Sequence, residues 1–185
     1  MSADEDVAIV LDYFPNGRTG EGGPSFDQVP VGHALGVREF RLYELSFEAD
    51  ADVSIGEEVV VRPPAAPVEE FRELRYEDLS QGAQSELEYV IEELVAAEEE
   101  RFVELFNEAQ PITLRLHQLD LLPGIGDTLR DQIIDKRKRG PFADFTDLTD
   151  RISGLHDPKS VIHERILTEL RDEDVKYRLF VNGPY

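Results

Sequence analysis

"LLPGIGDTLRDQIIDKRKRG", residues 121–140, contains the turn on which the reading of this chain depends. Pro123, Gly124 and Gly126 stand among the apolar Leu122 and Ile125, and a run with helical spacing follows. Glycine has no Cβ, so the backbone of such a turn reverses tightly and can come close to another surface. Ile125 is expected to point inward and anchor the turn. The following helix is read with Asp127 as its N-cap and Gly140-Pro141 as its stop. Its first amides lack intrahelical acceptors and carry the positive end of the helix dipole, which makes a ready anion site with phosphate as the usual occupant. The candidate contacts are Gly124, Ile125, Gly126, Thr128, Arg130, Lys136, Arg137, Lys138 and Arg139, with Arg130 placed to reach the next phosphate.

Charge sets this stretch apart. Of 185 residues, 40 are Asp or Glu and 19 are Lys or Arg, a formal net charge of −21. Between 111 and 140, six bases (Arg115, Arg130, Lys136, Arg137, Lys138, Arg139) outnumber four acids. Dipole complementation at a helix C-terminus accounts for one or two of them. Four in succession point to contact with phosphate. Elsewhere the acids are spread along the chain rather than gathered in a tail, which suggests adaptation of the whole surface. Self-repulsion of this kind destabilises a compact state, and at about 1 M salt a Debye length of about 3 Å screens it. With lysine only at 136, 138, 159 and 176, the composition predicts a salt-accumulating cytoplasm such as that of a halophilic archaeon. An ordinary acidic protein with a basic partner is the alternative.

Hydrophobic residues make up 41 % of the chain, enough for a real core. There is no cysteine, hence no disulfide framework and no thiolate metal site. No apolar run reaches the length of a membrane span. "MSADEDVAIVLDYF" lacks the features of a secretory signal, so a cytoplasmic, membrane-free protein is expected.

Working outward, residues 6–14 read as a strand, and "PNGRTGEGGPSF" as a long loop. "QVPVGHALG", "EFRLYELSFE", "GEEVVVRPP" and the less regular "VEEFRELRY" supply four more strands, with 62–67 as a loop between the last two. Five short strands in such a span suggest a small OB-like β-barrel. From Ser80 the period lengthens: Leu87, Val90, Ile91, Leu94, Val95, Phe102, Leu105 and Phe106 predict one long amphipathic helix ended by Pro111. Short helices follow over 113–122, 127–139, 146–152 and 158–170, with Asp157 as N-cap and Pro158 at the first helical position. "VKYRLFVN", 175–182, is strand-like. The expected fold is α+β, with a barrel over 1–78, a connecting helix over 79–110 and a helical domain over 111–185.

Leu-Pro-Gly-Ile-Gly-Asp at 122–127 recurs as Ile-Ser-Gly-Leu-His-Asp at 152–157, each copy lying between two helices. This pattern resembles the helix-hairpin-helix motif, the first copy closely and the second in degenerate form. The resemblance implies a paired unit that binds DNA or RNA without base specificity. It also implies that hairpin carbonyls around Leu122–Ile125 can hold a monovalent cation, K+ or Na+. In the second hairpin Gly154, Leu155, His156 and Lys159 are weaker candidates, because His156 replaces the second glycine, and packing against the first copy is an equal alternative.

"VLDYFPNGR", "RYEDLS", "RFVELFNEAQPITLRLHQLDLLPGIG", "PFADFTDL" and "KYRLFV" extend the likeness over nearly the whole chain. Taken together they resemble an uncharacterised archaeal family with RNA or nucleotide binding as its expected role. That resemblance implies an OB-like β domain joined to a double helix-hairpin-helix, and partners among ribosomal or RNA-modification factors. The barrel is more acidic than is usual for nucleic-acid binders of that fold. Stacking residues such as Phe40 or Tyr43 would be needed if it bound a strand itself.

No P-loop, dinucleotide fingerprint, zinc-ligand spacing or nucleophile elbow is present. His33, His117, His156 and His163 are dispersed, and none of the many acid pairs singles itself out. The expectation is a non-catalytic nucleic-acid-binding protein without side-chain metal ligands, with RNA favoured over DNA and its oligomeric state open. A protein adaptor with structural hairpins and a DNA repair or recombination accessory are the alternatives.

Overall fold

The computed structural model describes residues 5–18 and 29–182. Most of the glycine-rich loop expected after the first strand lies outside them. The chain forms two compact units: residues up to 90 together with the segment from 180 onward, and residues 91–179. The boundary falls inside a helix, a different cut from the three-part division at 78 and 110.

In the first unit the five strands lie where their alternation places them. They are β1 (Asp6–Phe14), β2 (Val31–Gly36), β3 (Leu42–Phe47), β4 (Glu58–Arg62) and β5 (Val68–Leu74). All neighbours in the order β4-β1-β2-β3-β5 are antiparallel, and the sheet curls into a half-barrel. Between Val10 and Asp12 the β1/β2 register shifts. Before the shift Ala8 and Val10 face the core with Ala34, Tyr43, Leu45, Phe47 and Val61; after it Tyr13 does, its ring 5.6 Å edge-on from Phe47. A bulge of this kind re-aims side chains and sharpens the local twist. Here it turns Asp12 away from that core.

Asp12, His33, Glu44 and Arg72 are successive cross-strand partners on β1, β2, β3 and β5. Arg72 lies 2.6 Å from Glu44, and the fully buried His33 presents Nε2 to Glu44 at 3.6 Å. This polar row fastens the next helix. The Ser80 amide donates to His33 Nδ1 (3.1 Å), its hydroxyl donates to Asp12 (2.6 Å), and that hydroxyl accepts the Ala83 amide (3.0 Å) as an N-cap. Helix α1 (Gln81–Ala97) begins there.

The expected single helix over 80–110 is two. Glu98 leaves helical geometry, and α2 runs Glu99–Glu108. A continuous helix would carry the stripe of Leu87, Ile91 and Leu94 through Glu98 to Phe102 and Leu105. The break lets Phe102, Val103 and Phe106 take the buried places, and leaves Glu98 partly exposed and paired with Arg101 at 2.7 Å.

The second unit also holds α3 (Asp127–Arg137), α4 (Phe145–Arg151) and α5 (Pro158–Arg171). The helix expected over 113–122 is not formed. The Ile112 and Thr113 amides both donate to the Leu116 carbonyl (2.7 and 3.0 Å), and Pro111 bridges His117. Only Gln118–Leu121 is helical, as a 3-10 turn. Its cap is reciprocal: His117 Nδ1 accepts the Leu119 amide, and the Asp120 carboxylate accepts the His117 amide. Such local side-chain bonds compete with an α-helix.

The strand expected over 175–182 is likewise absent. Arg178 donates to the Glu169 carbonyl and the Leu179 amide donates to the Glu169 carboxylate, so side-chain bonds replace a ladder. Further on, Phe180 meets Phe40 edge-on and the Asn182 amide donates to the Glu39 carbonyl. No helix among the described residues is long and apolar enough to cross a membrane.

Candidate functional site

The two copies of the repeated turn share one backbone scheme. The Ile125 amide donates to the Leu122 carbonyl (3.2 Å), and the Leu155 amide to the Ile152 carbonyl (3.4 Å). Gly124 and Gly154 take φ of +78° and +96°, the left-handed region that glycine enters without strain. Leu122, Ile125, Ile152 and Leu155 are all buried. Each turn is therefore pinned from below by two apolar side chains.

At the helix starts the copies diverge. In the first, Gly126 is the N-cap residue and no side chain caps α3. The first bond back runs from the Arg130 amide to the Gly126 carbonyl (2.9 Å), which leaves the amides ahead of it without intrahelical acceptors. A Cβ built on Gly124 or Gly126 meets nothing within 4 Å, so the approach is open. Asp127 is not the N-cap expected of it. It stands one residue inside, 88 % exposed, with its carboxylate turned to Arg130 at 3.0 Å. In that position it accepts no amide of its own turn.

In the second copy the helix begins one residue later. Asp157 is the N-cap and accepts the Ser160 amide (3.1 Å), with Pro158 at the first helical position. The anion position of this hairpin is filled by its own carboxylate. Its backbone is also held by Gln132 of α3, which accepts the Ser153 amide (2.6 Å) and donates to the Ser153 carbonyl (3.1 Å). A Cβ on Gly154 would touch Leu129 at 3.4 Å. His156 and Lys159 are exposed, and the Lys159 ammonium lies 5.9 Å from the Phe145 ring.

The basic side chains are not equivalent. Arg130 is ringed by Asp120, Asp127 and Asp131 at 3.0–3.1 Å. Arg137 donates to the Phe106 carbonyl (3.2 Å). Arg139 lies 3.8 Å from Asp135 on an exposed surface. Lys136 and Lys138 have no ion-pair partner among the described residues. Thr128 is exposed on the first turn of α3.

Two arginines that sequence reasoning passed over organise this region. Arg151 donates to the carbonyls of Lys136 (2.9 Å), Gly140 (2.7 Å) and Pro141 (3.1 Å), and its guanidinium lies 4.4 Å from the Phe142 ring centroid. It occupies the negative end of α3. Arg165 donates to the Leu121 carbonyl (3.1 Å) at the base of the first hairpin, to the Tyr177 carbonyl (2.5 Å) and to the buried Glu169 (2.8 Å). The Arg165/Glu169 spacing of four looks like an ordinary surface pair in the sequence. Only the buried position of Glu169 reveals its role.

Of the carbonyls near the proposed cation position, that of Leu122 accepts the Ile125 amide and that of Leu121 accepts Arg165. Among the described residues no group of three or more His, Asp or Glu is arranged to hold a metal ion. Phe40 and Tyr43 are fully buried, and the Tyr43 hydroxyl donates to Asp6 at 2.7 Å. Neither offers a stacking face.

Fold and turns together define a class: a mixed α+β protein that joins a curled antiparallel sheet to helices connected by a repeated glycine turn. Residues 4–182 match the family described as "Protein of unknown function (DUF655)", and the chain belongs to it. It is 38 % identical over 180 residues to the uncharacterized protein MJ0038 of Methanocaldococcus jannaschii, covering 96 % of this chain and 80 % of that one. The crystal structure of Af1531 from Archaeoglobus fulgidus, of the same family, matches with a TM-score of 0.85 at 37 % identity, over 96 % of this chain and all of that one. Both relatives are archaeal.

Proposed function

We propose that this protein is a non-catalytic nucleic-acid-binding protein of the cytoplasm, acting on RNA, that grips phosphate through the first hairpin without reading bases. In this reading the half-barrel is OB-like and the repeated turns form a helix-hairpin-helix pair. The acidic surface belongs to a halophilic archaeon.

One observation carries the reading. Two hairpins of the same scheme differ in that the second is capped by Asp157, whereas the first is capped by nothing and open above Gly124 and Gly126. A capped helix start has a carboxylate already set against its free amides; an uncapped one behind a close-approach turn presents amides and the dipole to an anion. Charge supports the choice, because the dipole at the far end of α3 is already met by Arg151. That leaves Lys136 and Lys138 free for phosphate, with Arg139 held only by a long, exposed contact to Asp135. Arg130 is assigned to bracing the turn rather than to the ligand, since three carboxylates hold it.

The test is RNA binding by fluorescence anisotropy in about 1–2 M KCl, where screening favours the fold of so acidic a chain. Gly126→Val puts a branched side chain over the open amides at a φ of −94° that valine accepts. Valine is a poor N-cap residue and costs up to about 1 kcal/mol of stability, so circular dichroism must confirm the fold. Affinity is expected to fall more than about tenfold, or about 1.4 kcal/mol. A folded Gly126→Val that binds RNA like the wild type would reduce the hairpin to a turn and favour the adaptor reading.

A further inference from the structure

The turn over Ile112–Leu116 stands out on this surface. Leu114 at its tip is 106 % exposed, well beyond Tyr89, Ile55 and Val29, the other large hydrophobic side chains exposed among the described residues. The support beneath it is well built. Besides the two bonds to the Leu116 carbonyl, Thr113 Oγ1 accepts the Arg115 amide (3.2 Å). At the base the Gln118 amide donates to the Gln110 carbonyl (3.0 Å), and the Gln118 side chain accepts the Gln110 amide (2.8 Å). The turn is also linked to the proposed phosphate grip: Asp120 accepts the His117 amide and pairs with Arg130 on α3.

Next to Leu114 stands Arg115, exposed and without a carboxylate partner among the described residues. Arg18, Arg41, Arg62, Arg72, Arg75, Arg101, Arg130, Arg139, Arg151 and Arg165 all have one. Arg137 and Arg178 also show no carboxylate partner but donate to backbone carbonyls, whereas the Arg115 side chain makes neither contact among the described residues.

We propose that Leu114 and Arg115 form a contact finger for single-stranded or looped RNA. Leu114 inserts beside an unstacked base while Arg115 pairs with the adjoining phosphate. The inference rests on the nucleic-acid reading and adds a second contact to it. Leucine is among the residues that wedge between bases, whereas it is under-represented among the anchors of protein–protein interfaces. The positive partner beside it points the same way, because phosphate contacts position a protein on a nucleic acid. RNA is recognised chiefly where its bases are already splayed out of a helix.

The probe is a short single-stranded RNA with 2-aminopurine at internal positions, titrated with the full chain in high KCl. Unstacking brightens the reporter. Wild-type protein is expected to raise its emission; Leu114→Ala should bind about tenfold more weakly and give no rise. Arg115→Gln should lower the slope of log affinity against log salt by about one unit. Leu114 is fully exposed, so Leu114→Ala should melt like the wild type. If Leu114→Ala matches the wild type in affinity and emission while Gly126→Val loses binding, the finger is overturned and the hairpin stands. If the wild type binds no RNA, both readings fall. If Leu114→Ala spares RNA binding but abolishes capture of a protein partner, the finger belongs to a protein interface and the proposal is wrong.

Discussion

His33 is the residue whose chemistry is most tightly set by its neighbours. Nδ1 accepts the Ser80 amide, so the neutral ring carries its proton on Nε2, which faces Glu44 at 3.6 Å and has no hydrogen-bond partner. Burial holds its pKa below the ordinary 6.5, and Arg18 adds to the effect, while Glu44 and Asp12 oppose it. Phe14 closes one side, its ring 5.6 Å away. Protonating Nδ1 would break the bond to Ser80 at the start of α1. The sign follows from the depressed folded pKa: the unfolded chain takes up the proton first. Stability from this group is therefore fully present above about 6.5 and is lost as pH falls from there toward the folded value. His33→Gln can keep an acceptor for Ser80 and a donor for Glu44 without titrating in this range. Denaturant melts in high KCl between about pH 7.5 and about pH 5 should show the wild type losing stability relative to this variant. Parallel curves would mean that His33 takes up its proton equally in the folded and unfolded chain, so that the fold does not depress its pKa. None of this is legible in the sequence, where His33 is one dispersed histidine, because the bulge at Val10/Asp12 and the strand register create its surroundings.

At the scale of elements, alternation and helical period located the five strands and α3, α4 and α5, because each has one face committed to a core. The failures share a cause. Glu98, the 113–122 segment and the 175–182 tail are shaped by side-chain bonds from Arg101, His117, Asp120 and Glu169, which leave no periodic trace. The glycine turn was legible down to its buried Ile125, but its distinction from the second hairpin was not. That rests on a one-residue shift of the helix start, which leaves Asp127 inside α3 and puts Asp157 at the cap of α5. The basic run divides in the same way. Arg151, half-buried and bonded to three carbonyls, closes the C-terminal end of α3. Arg151→Ala should cost about 2–3 kcal/mol, since it removes charge-assisted bonds and leaves carbonyls unsatisfied. Replacing Lys136, Lys138 and Arg139 by Gln should change stability by less than about 0.5 kcal/mol for each site. Urea melts in high KCl compare the two; the reverse order would return the run to dipole complementation and weaken its assignment to phosphate.

Across the whole molecule the acids set the conditions under which everything else operates. Ion pairs are plentiful on both units, yet in many at least one partner is exposed, and pairs that water reaches contribute little. They cannot offset the mutual repulsion behind a formal net charge of −21. Two different effects would make salt stabilising. Ions screen repulsion and do so at modest concentration, because the Debye length is already about 10 Å at about 0.1 M and about 3 Å at about 1 M. Excluded cosolutes strengthen apolar burial and need not be charged. If repulsion is what limits the fold, the melting midpoint should rise steeply between tens of millimolar and about 1 M KCl, NaCl should match KCl, and sucrose of equal osmolality in low salt should not substitute for either. Thermal melts followed by circular dichroism decide this. A cooperative melt that is insensitive to salt would remove the halophilic reading and make the acidity a surface for a basic partner. A rise reproduced by sucrose would locate the weakness in a small core instead. A rise that depends on ions alone would place RNA binding under the same conditions, where lysine and arginine contacts are screened. There the short-range amides above Gly124 and Gly126 would have to supply most of the affinity.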